Sequence, residues 1–299
     1  MFKYCSFSEY SIMNILNDEL YLNHYESFND PFECRCEILT GFPTIDSSSP
    51  RLNDIIRAWG FDDATNPAAI DEYEGLVMSL EGSEPNILDT IDSVRIGCFS
   101  KRADNLLMWA HYGNGLRGFC LEFDENLILS ESSNEVGIFE VLYDCYPSKI
   151  DTAVIAVLRD QVDYHEDAIY ETEKRLNYLK LEKQEKEQIT DEVGMYKETL
   201  ELVYEKNREI YQLMLANKSI EWKYEEEIRI ILQANSFDKN GVFMKYPSSS
   251  LKSIIIGEKM PERQRLTIKN IIAKKTNPIK LKLASRRDGQ FKVEITDIS

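Results

Sequence analysis

From 152 to 217 the chain carries no proline and one glycine, Gly194, while Glu, Lys and Arg are dense. Apolar residues recur there at helical spacing: Val162, Ile169, Leu176, then Tyr196, Leu200, Val203 and Tyr211. Proline breaks interior helical bonding and glycine is costly inside a helix, so a stretch lacking both is suited to long amphipathic helices. The polar run EKQEKEQITDE interrupts the apolar stripe, which predicts two long helices folded as a hairpin. Such a hairpin packs on the rest of the chain with one face and is solvated on the other. The alternative use is a coiled-coil partner or self-association through 152–217.

Strand-like patterns precede and follow this stretch, so it reads as an insertion within a single α+β domain spanning 1–299. FKYCSF alternates as a strand. Ser8 then caps a helix carrying Ile12, Met13, Ile15 and Leu16, Asn17-Asp18 turns the chain, and ELYL returns as a strand. In SFNDPFEC the Asx side chains and Pro31 favour an ordered turn. Residues 41–93 read as short helices joined by loops. VRIGCFS is a buried strand, DNLLMWAHYG a short helix capped by Asp104 or Asn105, GFCLEF a strand, and 136–144 a further one. After the hairpin come the strands IEWKYEEEIRIIL, VFMKY and LKSIIIG, a helix over 261–273, and closing strands at 279–284 and 290–296. The expected architecture is a mixed, partly split β-sheet with flanking helices and the inserted hairpin.

With 299 residues, 43% of them hydrophobic, the chain can bury a substantial core. Its net charge of −17 argues against coating a nucleic acid duplex over the whole fold. Residues 251–299 depart from this balance with 12 Lys/Arg against 5 Asp/Glu. That basic region suits a phosphate-bearing ligand or neutralisation of acids elsewhere in the chain. No apolar run is long enough to span a membrane, and the N-terminus lacks the pattern of a secretory signal. Cys5, Cys34, Cys36, Cys98, Cys120 and Cys145 are scattered and histidines number three, so a structural zinc site is not expected. Reduced thiols in a cytoplasmic protein are the reading.

Three clusters have the composition of a site. The first joins Tyr4 to Phe28-Asn29-Asp30-Pro31-Phe32-Glu33. The second joins Ser100 to Met108-Trp109-Ala110-His111-Tyr112. The third is Trp222 to Arg229. On a strand, Glu225, Glu227 and Arg229 share one face, with Trp222, Tyr224, Ile228 and Ile230 on the other. Two carboxylates on one face repel unless a cation or a ligand offsets them. Arg229 is the structural answer, and a cleft gripping a ligand hydroxyl is the functional one. His111 suits acid–base work near neutral pH, although a hydrogen-bonded core histidine fits the same setting. Asn29 and Asp30 read as turn-formers able to line a pocket. Walker, Gly-x-Gly-x-x-Gly, Gly-x-Ser-x-Gly and His-Glu-x-x-His motifs are absent.

In this order the clusters resemble a prokaryotic family, the domain of unknown function numbered twenty-nine seventy-one. The landmarks are FKY, NILNDELYL, FNDPFE, Cys98-Phe99-Ser100, Met108 to Tyr112 and Gly118 to Phe123. Lys218, Trp222, Tyr224, Glu225, Glu227 and Arg229 follow, and then Ile254 to Gly257. The order of an aromatic-bearing first strand, a serine ending a middle strand and a late Glu-x-Glu is similar to the ADP-ribosyltransferase superfamily. That second resemblance implies NAD as a substrate held by Tyr4, with Ser100 supporting the pocket. It further implies Glu227 on the nicotinamide ribose, Glu225 near the acceptor, and Arg35 or Arg229 on the pyrophosphate.

Three functions therefore stand as expectations. The first is an NAD-consuming ADP-ribosyltransferase-like enzyme, a toxin or anti-phage defence effector, acting on a protein or nucleic-acid acceptor. Glu227, Glu225 and His111 would be catalytic, and Tyr4, Ser100, Asn29, Asp30, Tyr112 and Arg229 would hold NAD. The second is a non-catalytic sensor or interaction module of a defence system, built around the acidic hairpin. The third is a metal-dependent nuclease using His111, Asp30 and the glutamate pair.

Overall fold

The computed structural model describes residues 1–46, 49–62, 64–130, 136–178, 181–234 and 238–298. The fold is α+β. In chain order it begins β1 (Phe2–Cys5), α1 (Glu9–Asn17), β2 (Glu19–Leu22), β3 (Cys36–Leu39), α2 (Pro50–Ala58), α3 (Pro67–Leu80), α4 (Ile87–Asp92) and β4 (Val94–Ser100). There follow α5 (Leu106–His111), β5 (Phe119–Phe123), α6 (Glu125–Ser130), β6 (Val136–Glu140), β7 (Leu142–Asp144) and β8 (Ser148–Asp151). The hairpin helices α7 (Thr152–Tyr178) and α8 (Lys183–Leu215) come next, then β9 (Asn217–Ser219) and β10 (Glu227–Gln233). The chain closes with β11 (Val242–Lys245), β12 (Leu251–Gly257), α9 (Glu262–Ile272), β13 (Lys280–Arg286) and β14 (Val293–Asp297).

These elements form two compact units. The first comprises Met1–Arg35, Ile91–Pro147 and Ala216–Ser299. Among its described residues, eight strands make one sheet in the order β14-β13-β12-β5-β1-β4-β10-β6. The β12–β13 pair is parallel, whereas β5, β1, β4 and β10 pair antiparallel with their neighbours. Side chains alternate across a strand, and here both faces are covered. Phe119, Leu121 and Phe123 join Ile254, Ile256, Ile230, Ile15 and Leu22 in one core. Cys120 and Ile255 turn the other way, to Tyr4, Met108, Trp109, Ala284 and Val293. That double burial is why β4, β5 and β12 read as near-continuous apolar runs.

Two glycines allow the backbone to close beneath the sheet. A Cβ at Gly257 would meet the Leu116 carbonyl at 2.2 Å, and one at Gly118 would meet the Cys5 carbonyl at the same distance. Gly257→Ala is expected to cost at least the roughly 1–3 kcal/mol typical of overpacking, because the obstacle is main chain rather than a side chain. A urea titration against the unsubstituted chain measures it.

The second unit comprises Cys36–Thr90 and Ser148–Leu215. Leu52, Ile55, Ile56, Tyr73 and Leu76 of α2 and α3 pack with Ala153, Val157 and Leu158 of α7 and Val203 of α8. The parallel pair β3–β8 lies beside them, and Arg51 grips Asp151 with two hydrogen bonds. The hairpin is present, with one difference. The polar run 182–192 does not separate the helices but forms the first turns of α8, which begins at Lys183. Its side chains are mostly exposed, and solvent satisfies them without ending the helix. Tyr164, Tyr170, Met195 and Leu202 also point outward from the hairpin.

The basic residues past 251 are partly spent on acids of the first unit: Lys252 on Asp124, Lys275 on Asp18, Lys282 on Glu122 and Arg286 on Glu258. Among the described residues, no helix is long and apolar enough to cross a membrane.

Candidate functional site

The site lies where the sheet is split. β1 and β4 are neighbours, yet they pair only through Phe2 and Ser100. Farther along, β4 turns to a different partner, since Ile96 exchanges both backbone hydrogen bonds with Asn23. The Cys98 carbonyl accepts instead from the Lys3 ammonium at 3.3 Å, which also sits 4.9 Å above the Phe99 ring. A cavity of about 190 Å³ fills the gap, lined by Lys3 and Tyr4 of β1, Ile96 and Cys98 of β4, and Tyr112, Lys218, Glu225 and Glu227. It shares Lys3, Tyr4, Tyr21, Asn23 and Tyr112 with a larger open chamber of about 1000 Å³. The combined cleft is large enough for an extended small ligand.

A row of alternating charges backs the inner cavity. Glu33 meets Arg229 at 2.6 Å, and Arg229 meets Glu227 at 3.0 Å. Glu227 meets Lys218 at 3.1 Å, and Lys218 meets Glu225 at 2.6 Å. All five side chains are buried. At the end of the row the Tyr112 hydroxyl donates to Glu225 at 2.7 Å, with the Asn29 amide donating to Tyr112 at 3.4 Å. The Glu227 backbone N–H donates to the Tyr143 hydroxyl at 2.8 Å.

Burial by itself would favour a neutral Glu227. The Arg229 and Lys218 charges, with hydrogen bonds from Arg229 and Cys98, outweigh it and hold the carboxyl at about 2. Burial likewise disfavours the Lys218 charge, but Glu227 and Glu225 keep the ammonium protonated and raise its pKa. Glu33 goes the other way: burial outweighs Arg229 and lifts its pKa. Burial and the bond to Glu225 raise Tyr112, which therefore stays a donor.

Because Glu227 is held below its unfolded value of 4.5, its contribution to stability is complete above that pH. It is lost as pH falls towards about 2, since the unfolded chain takes up the proton first. The expected loss from this group is about 3 kcal/mol. Urea midpoints at pH about 5 and about 2.5 check it, with the drop shrinking in Glu227→Gln.

The local structure differs from one straight strand. Residues Ile220–Glu225 form a 3-10 helix begun at Ser219, and Glu226 takes a left-handed conformation with φ 43°. Only at Glu227 does β10 start, so Glu225 and Glu227 do not share a strand face. Nor do Trp222 and Tyr224 continue the face of Ile228 and Ile230. Lys218 nevertheless gathers both carboxylates, and its ammonium lies 4.7 Å from the Trp222 ring.

Tyr4, Asn29, Tyr112, Glu225 and Glu227 line the inner cavity, and His111 lines the outer chamber. The Tyr4 hydroxyl donates to the Arg102 carbonyl at 2.8 Å, and its ring packs edge-on against Trp109. Three expected residues stand behind the lining. Ser100 is fully buried and accepts from the Arg102 N–H. Asp30 closes an Asx turn by accepting from the Phe32 N–H at 2.9 Å. Arg229 is fully buried, paired to Glu33 and Glu227, and a pyrophosphate would not reach it. Arg35 lines neither of the two cavities and belongs to a separate pocket beside Phe32. Among the described residues, no group of three His, Cys, Asp or Glu is placed to hold a metal ion.

Lys218, Glu33 and Lys3 line the inner cavity although their place in the sequence assigns none of them a role: Glu33 only ends the first cluster, and Lys218 and Lys3 stand only among the family landmarks. The signal for Lys218 was its place just ahead of an acidic pair, which needs a cation nearby. Glu33 follows directly on the Asx turn that aims it inward.

Residues 108–230 match the family model described as Protein of unknown function (DUF2971). The matched stretch holds Met108 to Tyr112, Gly118 to Phe123, the hairpin, and Lys218 through Arg229. The FKY and FNDPFE landmarks and Ile254 to Gly257 lie outside it. No curated protein and no solved structure matches the chain.

Proposed function

We propose that the cleft binds NAD as a substrate and transfers or hydrolyses its ADP-ribosyl group. The observation that carries this reading is the meeting of Tyr4, Tyr112, Glu225 and Glu227, distant in sequence, on one small cavity continuous with a larger chamber. In such a reaction the bond from the ribose anomeric carbon to the nicotinamide nitrogen breaks. Its electron pair leaves with nicotinamide, and the anomeric carbon, left cationic, bonds to an acceptor oxygen or nitrogen that gives up a proton.

A fixed carboxylate stabilises the positive charge that develops on the ring. Glu225 fits that duty: it ends the charge row, faces the cavity, and is aimed by Lys218 and Tyr112. Glu227, clamped from both sides, holds Lys218 and so positions Glu225. Tyr4 and Tyr112 offer aromatic surface to the nicotinamide ring. The choice of NAD follows from the likeness in element order to ADP-ribosyltransferases, and the cavity supplies the residues that would act on it.

The rigidity of the clamp also favours a second reading, a sensor that binds the dinucleotide without turnover. Incubation of the full chain with NAD labelled in the nicotinamide ring separates the two. Release of nicotinamide supports the enzyme, saturable binding without release supports the sensor, and the absence of both release and binding removes NAD from the account.

A further inference from the structure

We infer that the outer chamber is a binding site for an adenine nucleotide. The inference deepens the reading of the inner cavity and rests on it for the choice of a nucleotide, but it is tested by binding without turnover. Three features of the lining converge. First, in a chain with 52 Asp and Glu, no acidic side chain among the described residues lines this chamber. Its fixed charge is Lys3, whose ammonium makes no ion pair among the described residues and stands at the junction with the inner cavity. A half-buried ammonium without a carboxylate is arranged for an anion that comes from outside, and phosphate meets that need.

Second, the chamber exposes aromatic rings that the core does not use. Tyr10 is 80% exposed and Phe243 58%, with the Phe243 ring centroid 4.9 Å from that of Tyr21. Planar rings held at a cleft wall stack a nucleobase of any sequence. Third, the amides of Asn14, Asn23 and Asn114 line the chamber and make no side-chain hydrogen bond among the described residues. A carboxamide offers one donor and one acceptor side by side, the pattern complementary to the amino and ring-nitrogen edge of adenine. Stacking, an amide edge and one ammonium together recognise a base and a phosphate on the same molecule.

Calorimetric titration of the full chain with AMP, adenosine and NAD tests this, alongside the variants Tyr10→Ala and Asn14→Asp. AMP is expected to bind more tightly than adenosine. Tyr10→Ala should weaken AMP at least about fivefold by removing a stacking surface. Asn14→Asp should weaken AMP by about tenfold and adenosine by less, since it adds a negative charge to an acid-free wall. If NAD displaces AMP, the chamber holds the adenine half of one ligand spanning both cavities; if both bind together, it holds a separate nucleotide.

Absence of AMP and NAD binding at millimolar concentration overturns the inference, as does unchanged AMP binding in both variants. AMP binding that the variants lose, in a protein that releases no nicotinamide, leaves this site standing while glycosyl transfer falls. Nicotinamide release with no AMP binding, and an unaltered KM for NAD in Tyr10→Ala, does the reverse.

Discussion

Glu227→Gln is expected to cost about 3–5 kcal/mol of folding stability, the scale for breaking a buried ion pair from one side. The position of Glu227 in the charge row explains the size. It stands between Arg229 and Lys218, so its neutralisation weakens both cations at once. Each cation keeps one other carboxylate, Glu33 for Arg229 and Glu225 for Lys218, which is why the fold survives at low temperature. Urea titration of the purified variant at neutral pH reads the loss. A midpoint equal to that of the unsubstituted chain would show that the row contributes nothing to the fold.

Glu225→Gln should behave in the opposite way, with a small effect on folding and a large one on turnover. Glutamine's amide oxygen can accept from Lys218 while its NH2 donates to the Tyr112 oxygen, and Lys218 retains Glu227, so a stability change of about 1 kcal/mol is expected. The charge facing the cavity is gone, however. Loss of one preorganised electrostatic group from an active site costs roughly 10²–10³ in rate, and a drop in nicotinamide release of that order is the expected outcome. Full activity in a folded Glu225→Gln would falsify the assignment of this carboxylate. Measured together, the two variants divide the glutamates into one that holds and one that acts.

The strands and helices of the first unit were largely legible because both faces of its sheet are buried. VRIGCFS, GFCLEF and LKSIIIG announce themselves as apolar runs, and Ser8 and Asn105 cap their helices as their residue types predict. Trp222 to Glu225 was misread for a physical reason. Alternating aromatic and acidic residues imitate a half-buried strand, and nothing local reports that Glu226 adopts a left-handed conformation. The choice between Glu225 and Glu227 was equally hidden. It depends on Arg229, Lys218 and Glu33 meeting in space, and pairing across a sheet is not written in the spacing along one strand. Ser100 looked like a pocket residue because it ends a strand beside the site, but its hydroxyl is turned to the Arg102 backbone. The gap between β1 and β4, which creates the cavity, left no mark in either strand's composition.

That gap has a mechanical meaning. A seam fastened by a single rung, Phe2 to Ser100, leaves a five-strand slab carrying Tyr4 beside a three-strand slab carrying Glu227. Within that sheet each slab is internally complete, so strain from a remote substitution passes from one to the other through the rung and the side chains bordering the opening. The aromatic wall and the acidic wall thus ride on separate rafts, lashed across the opening by side chains, Lys3 to the Cys98 carbonyl and Tyr112 to Glu225, rather than by main-chain rungs.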